Sequence, residues 1–279
     1  MVLDTKLTWL PQKTFELDFS LPWTQVKTTF ELVMKQLVKE SDLKGFRKGK
    51  APRELIEKQV DKGKIYGEVI NQLLPVSYAE AVKKHNLKPA LAPKITIVSA
   101  EEEKTWQFKA KSCELPEVKL GNYQGTSRSA LVKSRLEKKE LTQTQKFDQI
   151  ARALIQDTQL ELPELLIESE RDRLLSKLLA ELQKLNLTIE QYANSNQKTV
   201  DQVKNEYQQT AINTLKLELI LQAIAEDRKI TVKDSEIDKM INEAGDPKLK
   251  KQLNTPSERA YIAAVLKKKH AIDFLTSLG

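Results

Sequence analysis

The chain has 279 residues, of which 30% are charged, 40% apolar and 6% aromatic. This length and composition favour a helix-rich protein of two domains over a single dense core. A single cysteine, Cys113, and two histidines, His85 and His270, exclude a disulfide framework and a zinc site of ordinary ligand spacing within one chain. The formal net charge of +7 favours a polyanionic partner without identifying one.

No targeting or membrane segment is predicted. Residues 1–22 lack a basic start followed by an apolar stretch of signal-peptide length, and no uninterrupted apolar run is long enough to span a bilayer. We therefore expect a cytoplasmic protein without a membrane partner.

The first elements predicted along the chain are a strand and three helices. Apolar and polar residues alternate over 14–20, which is the period of a strand with one buried face. Apolar residues then recur at helical spacing from Val26, predicting a helix of about five turns that continues until Gly45 breaks it. Pro52 is placed as the first residue of a short helix, and a longer helix is predicted over 64–84.

Alternation returns after the helices. Residues 95–98 and 106–111 each show the strand period, and a hairpin turn is predicted across 99–104. The first half of the chain therefore predicts an α+β domain in which helices cover one face of a small antiparallel sheet.

The second half has the pattern of an all-α domain. After Gly125 the next glycine is Gly245, and the interval contains one proline, Pro163. Two apolar stripes at helical spacing, at 174–185 and 215–224, require helix packing. Five capping boxes mark expected helix starts: Thr142 with Gln145, Thr188 with Gln191, Thr199 with Gln202, Thr231 with Asp234, and Thr255 with Glu258. We place the domain boundary within Gly121–Arg128, giving domains 1–125 and 126–279.

A basic segment lies between the first two predicted helices. Residues 44–64 hold eight Lys or Arg against Glu54, Glu57 and Asp61, a net charge of +5. Within it, two glycines flank an aromatic residue and two cations, which suits an exposed tip that binds RNA or a protein embedded in RNA. The residues alone also allow an ordinary turn with Phe46 packed in the core and a solvated basic surface.

The motif Gly45-Phe46-Arg47-Lys48-Gly49-Lys50-Ala51-Pro52 resembles the ribosome-binding signature of the trigger factor family, Gly-Phe-Arg-x-Gly-Lys-x-Pro, at every fixed position. The order of predicted elements over 6–125 is similar to the amino-terminal domain of that family. The resemblance implies docking on the large ribosomal subunit beside the nascent-chain exit, through a ribosomal protein and adjoining RNA. The ribosome-binding residues implied are Lys44, Gly45, Phe46, Arg47, Lys48, Gly49, Lys50 and Pro52.

The second half is similar to the carboxy-terminal chaperone domain of the same family, in the segment 162–166, the Leu-rich helix that follows and the helix capped by Thr199. Most family members carry a prolyl isomerase module between the two parts. Here residues 126–160 contain no glycine, no proline and one aromatic, Phe147, so this segment is predicted to be a helical or partly extended connector.

No catalytic constellation or cofactor site is predicted. Glu101–Glu103 fall at the hairpin turn, and Ser169 and Asp246 lack a histidine or lysine partner that sequence could assign. Cys113 is expected to be buried and to serve packing only. His85 is expected to interact with the end of a helix, and His270 to lie on a basic helical surface.

The expected function is that of a ribosome-associated, ATP-independent chaperone that holds unfolded nascent polypeptides. The alternatives are a prolyl isomerase and a general RNA-binding protein. The client-binding residues, and homodimerisation away from the ribosome, are left open.

Overall fold

The computed structural model describes residues 4–41, 46–47, 52–136 and 141–278. The chain divides into two compact units, Met1–Leu115 and Pro116–Gly279.

The first unit contains a four-stranded antiparallel sheet with strand order β1-β2-β4-β3. Its strands are β1 Thr5–Trp9, β2 Thr14–Leu21, β3 Lys94–Ser99 and β4 Trp106–Cys113. The alternation of β2 and β4 buries Phe15, Leu17, Phe108 and Ala110 on one face. The β2, β3 and β4 predictions are confirmed. Strand β1 was not predicted.

Three helices complete this unit: α1 Trp23–Glu40, α2 Arg53–Gln59 and α3 Lys62–Lys84. The prediction that the first helix continues to Gly45 was wrong. Helix α1 ends at Glu40, because Ser41 takes an extended backbone while its amide donates to the Leu37 carbonyl oxygen. Pro52 is the N-cap of α2 rather than its first helical residue.

The helices of the first unit cover the apolar face of the sheet. Val26 and Val33 of α1 and Ile65 and Val69 of α3 are buried against β2 and β4. The confirmed architecture is the α+β layer that the sequence pattern predicts.

In the described part of the second unit the regular elements are helices, joined by loops that include an isolated β-bridge between Lys119 and Gln159. Its helices are α4 Tyr123–Leu136, α5 Gln143–Asp157, α6 Glu164–Lys184, α7 Ile189–Ser195, α8 Val200–Asp227, α9 Asp234–Glu243, α10 Pro247–Leu253 and α11 Pro256–Ser277. The all-α prediction is confirmed.

Four of the five expected helix starts are confirmed. Thr142, Thr188 and Thr199 form complete capping boxes, and the Thr255 hydroxyl accepts from the Glu258 amide. The expectation for Thr231 was wrong, since α9 begins at Asp234. The Glu236 carboxylate accepts from the Lys233 amide at 2.9 Å, which places the cap two residues later.

The core of the second unit includes the segment expected to be a connector. Ile150 and Leu154 of α5 are buried with Ile220 and Ile224 of α8 and with residues of α11. The predicted boundary between residues 125 and 126 falls inside α4, whose Tyr123 is buried in the same core. Residues 126–160 therefore contribute two core helices.

Candidate functional site

The basic motif lies between the end of α1 and the start of α2. Phe46, Arg47 and Pro52 are exposed, and 41% of the Phe46 surface is accessible. The alternative in which Phe46 packs in the core is not observed. Arg47 forms no ion pair with any residue that the structure describes. An aromatic ring and a guanidinium are thus both exposed at adjacent positions of the chain.

Five further residues implied by the motif, Lys44, Gly45, Lys48, Gly49 and Lys50, lie outside the described residues. Their contribution to the site stays a prediction from the sequence.

Two cations of the basic segment are engaged within the chain. The Arg53 guanidinium donates to both carboxylate oxygens of Glu31, with Nη1–Oε2 at 2.5 Å and Nη2–Oε1 at 2.9 Å. This hydrogen bonding lowers the pKa of Glu31 and raises that of Arg53. The Lys62 amine lies 3.4 Å from a Glu102 oxygen. The positive charge of Arg53 and Lys62 is therefore partly balanced within the first unit.

An aromatic cluster joins α1 and α3 to strand β4. The rings of Phe30 and Tyr66 are 5.2 Å apart, and those of Tyr66 and Trp106 are 5.4 Å apart. Burial, together with a hydrogen bond to Glu102, raises the pKa of Tyr66 to about 12. Through its hydrogen bond to Glu102, Tyr66 links α3 to the hairpin turn.

The second unit exposes apolar side chains at several points. Of the predicted leucine stripe on α6, Leu178 and Leu182 are buried, whereas Leu179 and Leu185 are exposed, Leu185 to 68%. Other exposed apolar residues of this unit are Val132, Leu136, Leu187, Met240, Leu249 and Tyr261. These exposed apolar side chains are spread over several elements of the unit.

A groove of about 740 Å³ runs along α8 and α11. Its lining includes Ala225, Ile230, Ala260, Tyr261, Ala264 and Val265. Tyr261 is 67% exposed, and the rim carries a Lys268–Glu218 ion pair at 2.6 Å. The lining thus combines small apolar side chains with charged residues, among them Glu226, Lys229 and Lys267.

The cysteine and the two histidines are buried or have partners within the chain. Cys113 is buried, and burial raises the pKa of its thiol. The His85 amide donates to carbonyl oxygens of the last turn of α3, and its Nε2 lies 2.9 Å from the Thr5 hydroxyl. His270 Nε2 lies 3.1 Å from Glu236 Oε1, so it pairs with an acid rather than only joining a basic surface.

Glu101–Glu103 lie at the turn before β4, as predicted. Glu101 pairs with Lys104, and Glu102 accepts from Tyr66 and Lys62, which lowers the pKa of Glu102. Across the described ranges, no group of three or more His, Cys, Asp or Glu residues could hold a metal ion. The same ranges contain no helix with the length and hydropathy needed to cross a bilayer.

Sequence reasoning missed Glu31. This residue lies on the predicted first helix and carries no local motif, so only the packing of α2 on α1 shows that it binds Arg53.

Comparison with known proteins places these features in one family. The model described as bacterial trigger factor protein matches residues 4–150, and that described as the carboxy terminus of bacterial trigger factor matches residues 129–277. The two matches overlap, so no unmatched interval separates the amino-terminal and carboxy-terminal parts.

Individual relatives align over a shorter stretch. The trigger factor of Geobacillus thermodenitrificans is 43% identical over 36% of this chain and 24% of its own length. That of Moorella thermoacetica is 38% identical over 41% of this chain and 25% of its own length. This chain thus spans about a quarter of the length of the curated relatives it matches.

A solved structure described as "Promiscuous Substrate Recognition in Folding and Assembly Activities of the Trigger Factor Chaperone" has a TM-score of 0.67 and 12% identity. The likeness covers 98% of this chain and 99% of that chain, and it concerns the fold alone. Because each of the two family models matches more than half of the residues, this chain belongs to the bacterial trigger factor family.

Proposed function

We propose that this protein docks on the large ribosomal subunit through its basic loop and holds unfolded nascent polypeptides on its helical unit without ATP. The observation that carries the proposal is the complete signature at 45–52, with Phe46 and Arg47 exposed together between two helices.

The residues of the loop suit a surface made of RNA and protein. Arg47 can donate two parallel hydrogen bonds to a phosphate or carboxylate, and Phe46 can fill an apolar pocket. Lys44, Lys48 and Lys50 would add point charges near RNA, while Gly45, Gly49 and Pro52 would shape the backbone.

The helical unit supports the holding role. Exposed Leu179, Leu185 and Tyr261, with the groove along α8 and α11, offer several weak apolar contacts instead of one deep pocket. Anchoring at the ribosome would raise the effective concentration of these contacts near an emerging chain, so that individually loose binding suffices and release stays fast. The proposed partners are thus a ribosomal protein, adjoining RNA and unfolded polypeptides, with no cofactor.

We propose further that the chain between residues 4 and 277 has no prolyl isomerase site. Such a site needs a rigid pocket that binds the twisted peptide better than either planar form. The interval where family members carry the isomerase module is occupied here by α4 and α5, which pack in the helical core.

Proline-limited refolding of a model protein separates the holding role from an isomerase. The uncatalysed barrier is roughly 18–20 kcal/mol, and we expect refolding to keep its spontaneous slow rate when this chain is added, with a higher yield. A refolding rate that rises in proportion to catalytic amounts of the chain would show an isomerase site. The yield without ATP reports the holding activity in the same experiment.

A further inference from the structure

Helix α2 follows the basic loop directly and is too short to be stable alone. It spans seven residues, Arg53–Gln59, whereas isolated helices shorter than about 12–15 residues are marginal in water. On its apolar side Ile56 is 3% exposed, but Leu55 is 42% exposed. Helix α2 therefore has a narrow apolar contact with the rest of the first unit.

The Arg53 guanidinium supplies a second attachment. It is the first residue of α2, and its two bonds to Glu31 reach back to α1 across the loop. Its Nε also lies 3.7 Å from Glu57 within α2. A planar guanidinium that meets both oxygens of one carboxylate fixes direction as well as distance, which an ammonium group cannot do.

The two helices joined in this way are the two ends of the loop. Helix α1 ends at Glu40 and α2 begins at Arg53, so the Glu31–Arg53 pair sets the separation and direction of the chain ends that carry Phe46 and Arg47. We infer that Glu31 and Arg53 are positioning residues that pre-organise the docking loop for its ribosomal partner. This inference rests on the proposed docking function.

A direct contact of Arg53 with RNA is the competing explanation, and the geometry disfavours it. Three nitrogens of the guanidinium already face the carboxylates of Glu31 and Glu57, so its charge is partly balanced within the chain and its donors are engaged. Pre-organisation reduces the ordering cost that the loop meets on binding, so loss of the pair weakens binding without removing a phosphate contact.

The two explanations predict opposite changes in binding affinity when the charge of Glu31 is removed. Glu31→Gln removes a negative charge near a basic loop, so general electrostatic attraction to RNA would increase. Loss of positioning would instead weaken binding. Glu54→Gln is a matched control, because it removes the same charge from the exposed surface of α2 without touching the pair.

The test is the equilibrium affinity of the full chain for isolated large ribosomal subunits, measured at several salt concentrations. We expect Glu31→Gln to bind about two- to fivefold more weakly than wild type, as for loss of a good surface ion pair, with an unchanged salt slope. Glu54→Gln should bind as wild type or slightly more tightly. The charge-swapped double variant Glu31→Arg with Arg53→Glu should recover much of the lost affinity.

Equal affinities of Glu31→Gln and Glu54→Gln would overturn the positioning role. So would a charge-swapped variant whose affinity does not exceed that of Glu31→Arg alone or Arg53→Glu alone. Near-ultraviolet circular dichroism of the aromatic cluster checks that each variant is folded. If Phe46→Ala with Arg47→Ala and Lys48→Ala binds as wild type, the docking function itself fails. Loss of binding by that loop variant, with no effect of Glu31→Gln, overturns only the positioning role.

Discussion

Replacing Phe46, Arg47 and Lys48 together by alanine should abolish cosedimentation with ribosomes while leaving both units folded. Phe46 and Arg47 are exposed and contribute little to the core of the first unit, so their loss should remove partner contacts rather than stability. Central aromatic and arginine contacts cost about 2 kcal/mol or more each when truncated, so affinity should fall by at least about a hundredfold.

A matched control removes the same kinds of side chain, one apolar and two cationic, at positions away from the loop. Val76, Lys83 and Lys88 are exposed on the first unit, and their joint replacement by alanine removes one apolar side chain and two cations. This control should sediment with ribosomes as wild type does. A folded loop variant that still sediments normally would contradict the docking assignment.

The second large effect concerns where the helical unit begins. A fragment of residues 116–279 should fold alone and suppress aggregation of an unfolded client without ATP. A fragment of residues 126–279 should be less stable by about 3–5 kcal/mol, the usual cost of losing a buried aromatic side chain. It lacks Tyr123, which is buried and donates a hydrogen bond of 2.6 Å to Asp227, and it lacks the Lys119–Gln159 bridge.

Urea unfolding followed by far-ultraviolet circular dichroism measures this difference, and light scattering of an aggregating client measures the activity. The control is Tyr123→Ala in the 116–279 fragment, which separates the loss of the side chain from the loss of the preceding segment. Equal unfolding midpoints for the two fragments would show that Tyr123 and its neighbours do not stabilise the unit. An unfolded 116–279 fragment, or a strict need for nucleotide, would contradict the proposal that the helical unit holds clients by itself without ATP.

Local signals in the sequence were sufficient for most elements. The alternation in β2 and β4 and the three complete capping boxes each specify a structure within a few residues, because period and hydrogen-bonding partners lie in the same short segment. Strand β1 carries the same alternation at Leu7 and Trp9, so its signal was present in the sequence.

Features that depend on distant residues could not be predicted. The role of Tyr123 depends on Asp227, and the Glu31–Arg53 pair joins two helices across the loop. Of the predicted docking residues, the structure shows Phe46, Arg47 and Pro52 exposed, which is a condition for binding but not evidence of it.

A general RNA-binding protein remains the rival explanation for the basic loop. Such a protein would bind protein-free RNA tightly, and its affinity would fall steeply with salt because binding would rest on neutralised phosphates. A docking protein that uses Phe46 as an apolar anchor should need the assembled subunit.

Competition for the labelled full chain tests docking most directly, with intact large subunits, small subunits and protein-free ribosomal RNA as competitors at physiological salt. Docking predicts that large subunits compete for the labelled chain at the lowest concentration. It also predicts that the loop variant shows no high-affinity binding to large subunits. Protein-free RNA that competes as well as large subunits, or a loop variant that binds large subunits as wild type does, would contradict it.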